Sequence, residues 1–71
     1  MNRINPNKLF NSKWTAVQPV NRQRHFIVTS VIKSDDGLVT ACELEAVLTH
    51  MVAELDWREL KDSSRWVMGW K

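Results

Sequence analysis

The sequence predicts an all-β or mainly β fold, with a single small antiparallel meander forming an SH3-like, partly open barrel and short helical turns near the C-terminus. Two observations predict it. The stretch from His25 to Lys33 is dense in β-branched residues and carries apolar residues on both faces, as a central strand does. Ser34-Asp35-Asp36-Gly37 follows it as a hairpin turn, with Gly37 available for a positive φ. A chain of 71 residues has room for one domain.

The first twelve residues predict an N-terminal arm that precedes the single β domain of residues 13–71. This segment is polar and rich in Asn, and Asn5-Pro6-Asn7 is a turn signal. Its apolar residues are expected to dock on the domain, and they are Ile4, Leu9 and Phe10.

A first strand is predicted directly after the arm. Trp14-Thr15-Ala16-Val17 has strand composition and is expected to stop at Gln18-Pro19, because Pro cannot donate to a sheet ladder. The polar residues 21–24 are expected to form the loop that leads to the central strand.

Residues 38–55 fit two interpretations. As a helix, Thr40 is an N-cap with Glu43 three residues on, and apolar residues recur at helical spacing. As a strand, alternate residues line one apolar face, namely Leu38, Thr40, Cys42, Leu44, Ala46 and Leu48. The preceding turn favours the strand, because a tight hairpin needs a second strand about as long as the first.

The last third of the chain predicts a short strand and helical turns. A turn near Thr49-His50 returns Val52 to Trp57 as a strand, and residues 58–62 resemble a single helical turn. Asp62-Ser63-Ser64 ends that turn and caps another that begins at Arg65.

The predicted core is built on tryptophan. The chain has 4 Trp and no Tyr, and each buried indole removes a large apolar area from water. The expected core residues are Trp14, Phe26, Val28, Leu44, Leu48, Leu55, Trp57 and Leu60.

The chain resembles a family of small tryptophan-rich bacterial proteins of unknown function. The resemblance covers nearly all of it and is clearest in Ser12-Lys13-Trp14-Thr15, in Trp57-Arg58-Glu59-Leu60-Lys61-Asp62 and in Trp66-Val67-Met68-Gly69-Trp70. It implies a free-standing bacterial protein of the cytoplasm and agrees with the strand interpretation of residues 38–55. It brings no activity, cofactor or catalytic residue.

The charge is divided between the two halves of the chain. Residues 1–34 carry six basic and no acidic side chains, whereas residues 35–71 carry all 8 acids and four bases, so a net charge of +2 conceals halves of +6 and −4. One interpretation is a basic face for an acidic partner, and the other is two halves that attract each other within the fold. In the second, Arg24 or Lys33 pairs with Glu43 or Glu45 across neighbouring strands.

Nothing in the sequence indicates catalysis, a metal or a cofactor, and we expect a protein that is not an enzyme. Cys42 is the one cysteine, it lies on the apolar face of its predicted strand, and it lacks the partners of a zinc site, as do His25 and His50. A lone cysteine fits a reducing cytoplasm, and no apolar run approaches the ~18 residues of a membrane span.

The functional hypothesis is a binding module whose surface combines exposed tryptophan with basic side chains. Trp66 and Trp70 are the expected exposed pair, since they lie four residues apart near the chain end, and Gly69 between them lets a flat group approach. The flanking cations are Arg22, Arg24, Arg65 and Lys71. Single-stranded nucleic acid and another protein are the rival partners, and homodimerisation is a third possibility. The alternative is that the Trp residues are mainly structural.

Overall fold

A computed structural model describes residues 1–71 as one open antiparallel sheet in the order β4-β3-β2-β1-β5. The mainly β prediction is confirmed, and β4 and β5 form the two free edges. The five strands are β1 (Lys13–Val20), β2 (Gln23–Lys33), β3 (Val39–Ala46), β4 (Val52–Leu55) and β5 (Trp66–Met68). Two 3₁₀ helices complete the fold, over Pro6–Lys8 in the arm and Trp57–Lys61 after β4.

The hairpin of β2 and β3 decides the ambiguous stretch in favour of a strand. The two strands pair from Phe26 opposite Ala46 to Lys33 opposite Val39. Gly37 lies in the connecting turn with a φ of 83°, the left-handed conformation that glycine adopts without strain.

Strand β1 runs past Pro19, contrary to the expected stop at Gln18-Pro19. The pairing with β2 shifts register between Thr15 and Val20, so the missing N–H of Pro19 interrupts no regular pair of the ladder. The loop before β2 is correspondingly shorter than predicted, because Asn21 and Arg22 alone make the turn, with φ values of 54° and 65°. Two positive φ values in a two-residue connection are typical of a type I′ hairpin.

The end of the chain agrees with the prediction in part. Strand β4 ends at Leu55 rather than Trp57, because Asp56 caps the following 3₁₀ helix by accepting a hydrogen bond from the Arg58 N–H at 2.9 Å. That helix is the predicted single turn. The second turn expected from Arg65 is wrong, because Trp66–Met68 pairs with Trp14–Ala16 as strand β5.

One face of the sheet, the core face, is covered by the arm and the second 3₁₀ helix. Trp14 and Leu9 are each 1% exposed, and the cluster around them consists of Val28, Cys42, Leu44 and Leu60. Phe26, Leu55 and Trp57 are half-buried against it, as is the arm residue Ile4. The arm is held by its backbone as well, since the N–H of Asn11 donates to the Val28 carbonyl at 2.9 Å.

Leu48 is not a core residue, and its predicted place in the core is corrected. It is 68% exposed. The alternation that would have turned it inward ends with β3 at Ala46, and residues 47–49 form the turn that leads to β4.

The opposite face of the sheet, here named the open face, has no layer of backbone over it apart from the chain end that crosses Thr15. The pairing register places Lys13, Ile27, Glu45 and Val52 in one row across four strands. Because side chains alternate along a strand, the same face carries Thr15, His25, Glu43, Glu54 and Val67. The molecule is therefore a two-layer structure whose second layer lies on the core face.

Replacing Leu9 tests whether the arm belongs to the core. Leu9→Ala is expected to lower the free energy of unfolding by about 2–5 kcal/mol, because it leaves a cavity beside Trp14. Phe10→Ala is the matched control, since Phe10 is 59% exposed and its loss should cost no more than about 0.5 kcal/mol. Equal midpoints for both variants in urea unfolding would show that the arm does not contribute to the core.

Candidate functional site

The chain after β5 is fixed against β1 by the hydroxyl of Thr15. This hydroxyl donates to the Gly69 carbonyl at 2.7 Å and accepts from the Lys71 N–H at 3.0 Å. The Gly69 N–H donates to the Lys13 carbonyl at 2.7 Å. Trp70 is thus held between two anchored residues, and Thr15 is buried beneath the tail.

Trp70 lies on the open face and is 44% exposed. Its indole N–H donates to the Phe26 carbonyl at 2.9 Å. Its ring lies at a tilt against the His25 ring, with centroids 6.0 Å apart, and the Lys13 ammonium is 4.9 Å from its centroid. His25 in turn donates from Nε2 to the Lys71 carbonyl at 3.0 Å. The indole is therefore oriented by its neighbours while part of its surface still faces solvent.

Trp66 does not share this surface, so the predicted Trp66 and Trp70 pair is corrected. Trp66 is half-buried on the core face, where its ring packs edge to face on Phe26 at 5.3 Å between centroids. Its Nε1 is buried and has no hydrogen-bond partner. Phe26 and His25 are neighbours on β2 and point to opposite faces, so the two tryptophans contact opposite sides of the sheet.

Gly69 explains why the two tryptophans separate. In a continuing strand Trp66, Met68 and Trp70 would share one face. Gly69 has a φ of 81°, and this left-handed residue reverses the alternation. A Cβ at this position would meet no atom within 4 Å, so the structure gives Gly69 a conformational role rather than a close approach to a flat group.

A groove of about 330 Å³ adjoins Trp70 through His25. It is lined by Arg22, Arg24, His25, Val47 and Leu48. Together with Lys13, Trp70 and Lys71 these residues form what is here called the Trp70 surface. Of the predicted binding residues it brings together Arg22, Arg24, Trp70 and Lys71. Arg65 lies with Trp66 along a different groove of about 260 Å³ and pairs with Glu59 at 3.2 Å.

The cations of the Trp70 surface have no ionic partner. The ion pairs of the molecule join His50 to Glu45, Arg58 to Asp56 and Arg65 to Glu59. None of the six basic side chains of residues 1–34 takes part in one. The expected pairing of Arg24 or Lys33 with Glu43 or Glu45 is therefore absent, and the halves do not neutralise each other through direct ion pairs.

Sequence reasoning missed Lys13, His25, Val47 and Leu48 as members of this surface. His25 and Lys13 are brought to Trp70 only by strand pairing, since Thr15 opposite His25 and Lys13 opposite Ile27 fix their positions. No signal in the sequence indicated Leu48, because the alternation of residues 38–48 placed it on the apolar face of the predicted strand.

Cys42 is not available as a nucleophile. It is fully buried in the core, and burial together with the negative charges of Asp56 and Glu59 raises the pKa of its thiol to about 11. No group of three or more His, Cys, Asp or Glu side chains in residues 1–71 is placed to hold a metal ion. No helix is long and apolar enough to cross a membrane.

The fold and the Trp70 surface define a small tryptophan-anchored β domain with a basic aromatic surface. The chain belongs to the tryptophan-rich protein family DUF2389, of unknown function, whose model matches residues 12–71. No curated protein and no solved structure matches the chain.

The burial of Cys42 predicts slow thiol labelling. The raised pKa alone lowers the thiolate fraction near neutral pH by about 100-fold, and the core blocks access as well. We expect a disulfide reagent to label the folded protein at least ~100-fold more slowly than the protein in denaturant. Equal rates in the two conditions would contradict the buried position.

Proposed function

We propose that this protein is a non-enzymatic module that binds single-stranded nucleic acid on the Trp70 surface. The observation that carries the proposal is a partly exposed indole with the Lys13 ammonium over its ring, beside a groove lined by two further unpaired cations, with no acidic side chain among these residues. Single-stranded nucleic acid needs both components, cations for phosphates and a ring on which a base stacks.

The indole of Trp70 is suited to stacking because it is already oriented. Its hydrogen bond to the Phe26 carbonyl and its contact with His25 fix the ring before a ligand arrives. Little conformational entropy is then lost on binding. The Lys13 ammonium over the ring is an exposed cation–π contact of about 0.5–1 kcal/mol, weak enough to exchange for a phosphate.

The groove beside Trp70 supplies further contacts of the same kind. Arg22 and Arg24 are unpaired and offer planar guanidinium groups that bind phosphate through two hydrogen bonds. Val47 and Leu48 form an apolar wall against which a base or sugar packs. Leu48 is exposed to water in the free protein, and in this arrangement a bound base or sugar would cover it.

The absence of an enzymatic role is part of the proposal. The single thiol is buried with a raised pKa, and the Trp70 surface contains no acidic side chain to pair with His25 in proton transfer. His25 is already engaged with the Lys71 carbonyl.

Fluorescence titration with single-stranded oligothymidine and oligouridine tests the proposal. We expect quenching of Trp emission at low salt that weakens as salt is raised, because phosphate binding releases counterions. Trp70→Ala should weaken binding about tenfold or more, in line with the ~1–3 kcal/mol that stacking on one aromatic ring contributes. Trp57→Phe is the control, since Trp57 packs against the core and its indole N–H donates to the Val39 carbonyl at 3.0 Å.

Two basic variants separate a local site from general attraction. Arg24→Ala should reduce the slope of log affinity against log salt by about 0.7 if Arg24 contacts one phosphate. Lys33→Ala removes the same charge at the far end of β2 and should leave the slope unchanged. Equal effects of both variants, or no binding at low salt, would contradict the Trp70 surface as a nucleic-acid site, and salt-insensitive binding to a protein would favour the rival partner.

A further inference from the structure

The open face carries apolar side chains although, apart from the chain end over Thr15, no layer of this chain covers it. Ile27 lies in the middle of the central strand, Val52 is 51% exposed on β4, and Val67 lies on β5. The apolar residues on both sides of β2 predicted a strand covered twice, and the arm covers it once. Apolar residues on both faces of β2 therefore predict a second layer over the open face.

The charges of the open face are divided across the strands. Lys13 lies on β1, whereas Glu45 lies on β3 in the same row, with Ile27 between them. Glu43 on β3 is directly opposite Glu54 on β4, an unfavourable like-charge pair in the isolated molecule. Glu45 accepts from His50 at 2.8 Å, and Glu43 and Glu54 have no ionic partner. The face is basic on its β1 side and acidic on its β3 and β4 side.

We infer that the open face binds a second copy of this chain, as a symmetric dimer whose two-fold axis runs parallel to β2 and midway between the two facing sheets, so that β1 of one copy lies over β3 of the other. Lys13 then lies over Glu45 of the partner subunit, and the reverse contact forms by symmetry. Ile27 lies at the centre and meets the partner's Ile27. One row of side chains thus provides two ion pairs around an apolar centre.

The size of the face suits a stable dimer. The molecule measures 37 × 25 × 15 Å, so its broad side is comparable to the roughly 800 Å² that each partner of a standard interface buries. A symmetric contact of this kind is closed and leads to no filament.

A second copy fits this face better than an unrelated partner does, because the acidic and basic sides are at equal distances from β2. Lys13 and Glu45 are one strand away on either side of Ile27. A uniformly acidic or basic partner would be attracted to one side and repelled by the other. Only a partner with its acidic side over β1 and its basic side over β3 matches both sides. A second copy rotated by 180° presents its charges in this order.

The dimer would also cover Trp70, which lies on the β1 side of the open face beside Lys13. This consequence rests on the proposed function: nucleic acid and a second copy compete for one indole. Self-association then limits access to the Trp70 surface as protein concentration rises.

Sedimentation velocity without nucleic acid tests the dimer by itself. We expect a concentration-dependent shift from about 8 to about 17 kDa, the mass of two chains. Lys13→Glu and Glu45→Lys should each remain monomeric at concentrations where the wild type is dimeric, because each places like charges opposite one another. Lys33→Glu is the charge control, since Lys33 is at the end of β2 and should leave the dimer intact.

Mixing the two variants gives the decisive result. The carboxylate introduced at position 13 of one chain would face the ammonium introduced at position 45 of the other, and the unaltered Lys13 and Glu45 would meet at the second contact. The equimolar mixture should therefore form heterodimers although neither variant dimerises alone. Circular dichroism checks that both variants fold. A wild type that stays monomeric to millimolar concentration, or a mixture that stays monomeric, overturns the dimer.

The competition is measured separately. Oligothymidine added to the wild-type dimer should produce monomers in complex with nucleic acid. An intact dimer carrying the oligonucleotide would overturn the competition while leaving the dimer in place. A dimer that binds no oligonucleotide would overturn the proposed function and the competition, and the sedimentation result would still stand.

Discussion

The fold depends on one constraint: a short chain must both form a single sheet and cover one face of it. Trp14 is at the centre of that layer, paired with Phe26 on one side and Met68 on the other, and its indole N–H donates to the Ser12 hydroxyl at 2.9 Å. Leu9 and Leu60 cover the sheet from the two ends of the chain. The arm and the second 3₁₀ helix thus lie on the core face, whereas the other face carries the chain end over Thr15.

The uncovered face determines the chemistry available to the protein. The residues of the chain end are anchored there through Thr15 and His25, which orients the Trp70 indole beside the Lys13 ammonium. The ion pairs form within the second half of the chain, so the basic side chains of the first half remain without an ionic partner. The Trp70 surface therefore combines a partly exposed indole with cations that have no ionic partner.

The sequence predicted what local signals encode. The β2 and β3 hairpin followed from β-branched residues and a Gly-containing turn, and the 3₁₀ helix followed from the composition of residues 58–62. Strand β5 could not be predicted in this way, because three residues become a strand only by pairing with β1 across about fifty residues. The separation of Trp66 from Trp70 depends on the positive φ of Gly69, which composition does not specify. Lys13 and His25 join Trp70 through register alone.

The contacts between the two ends of the chain affect how the protein folds as well as its final structure. The Asn2 amide group donates to the carbonyls of Leu60 and Trp66, each at 2.8 Å, and β5 pairs with β1. These contacts join residues nearly the whole chain apart, so their loops must close before any of them stabilises the structure. The pairing of β1 with β5 therefore costs more loop-closure entropy than the pairing of neighbouring strands in the hairpins. We expect the hairpins to form before β5 pairs with β1, so that the layer over Trp14 is completed late in folding.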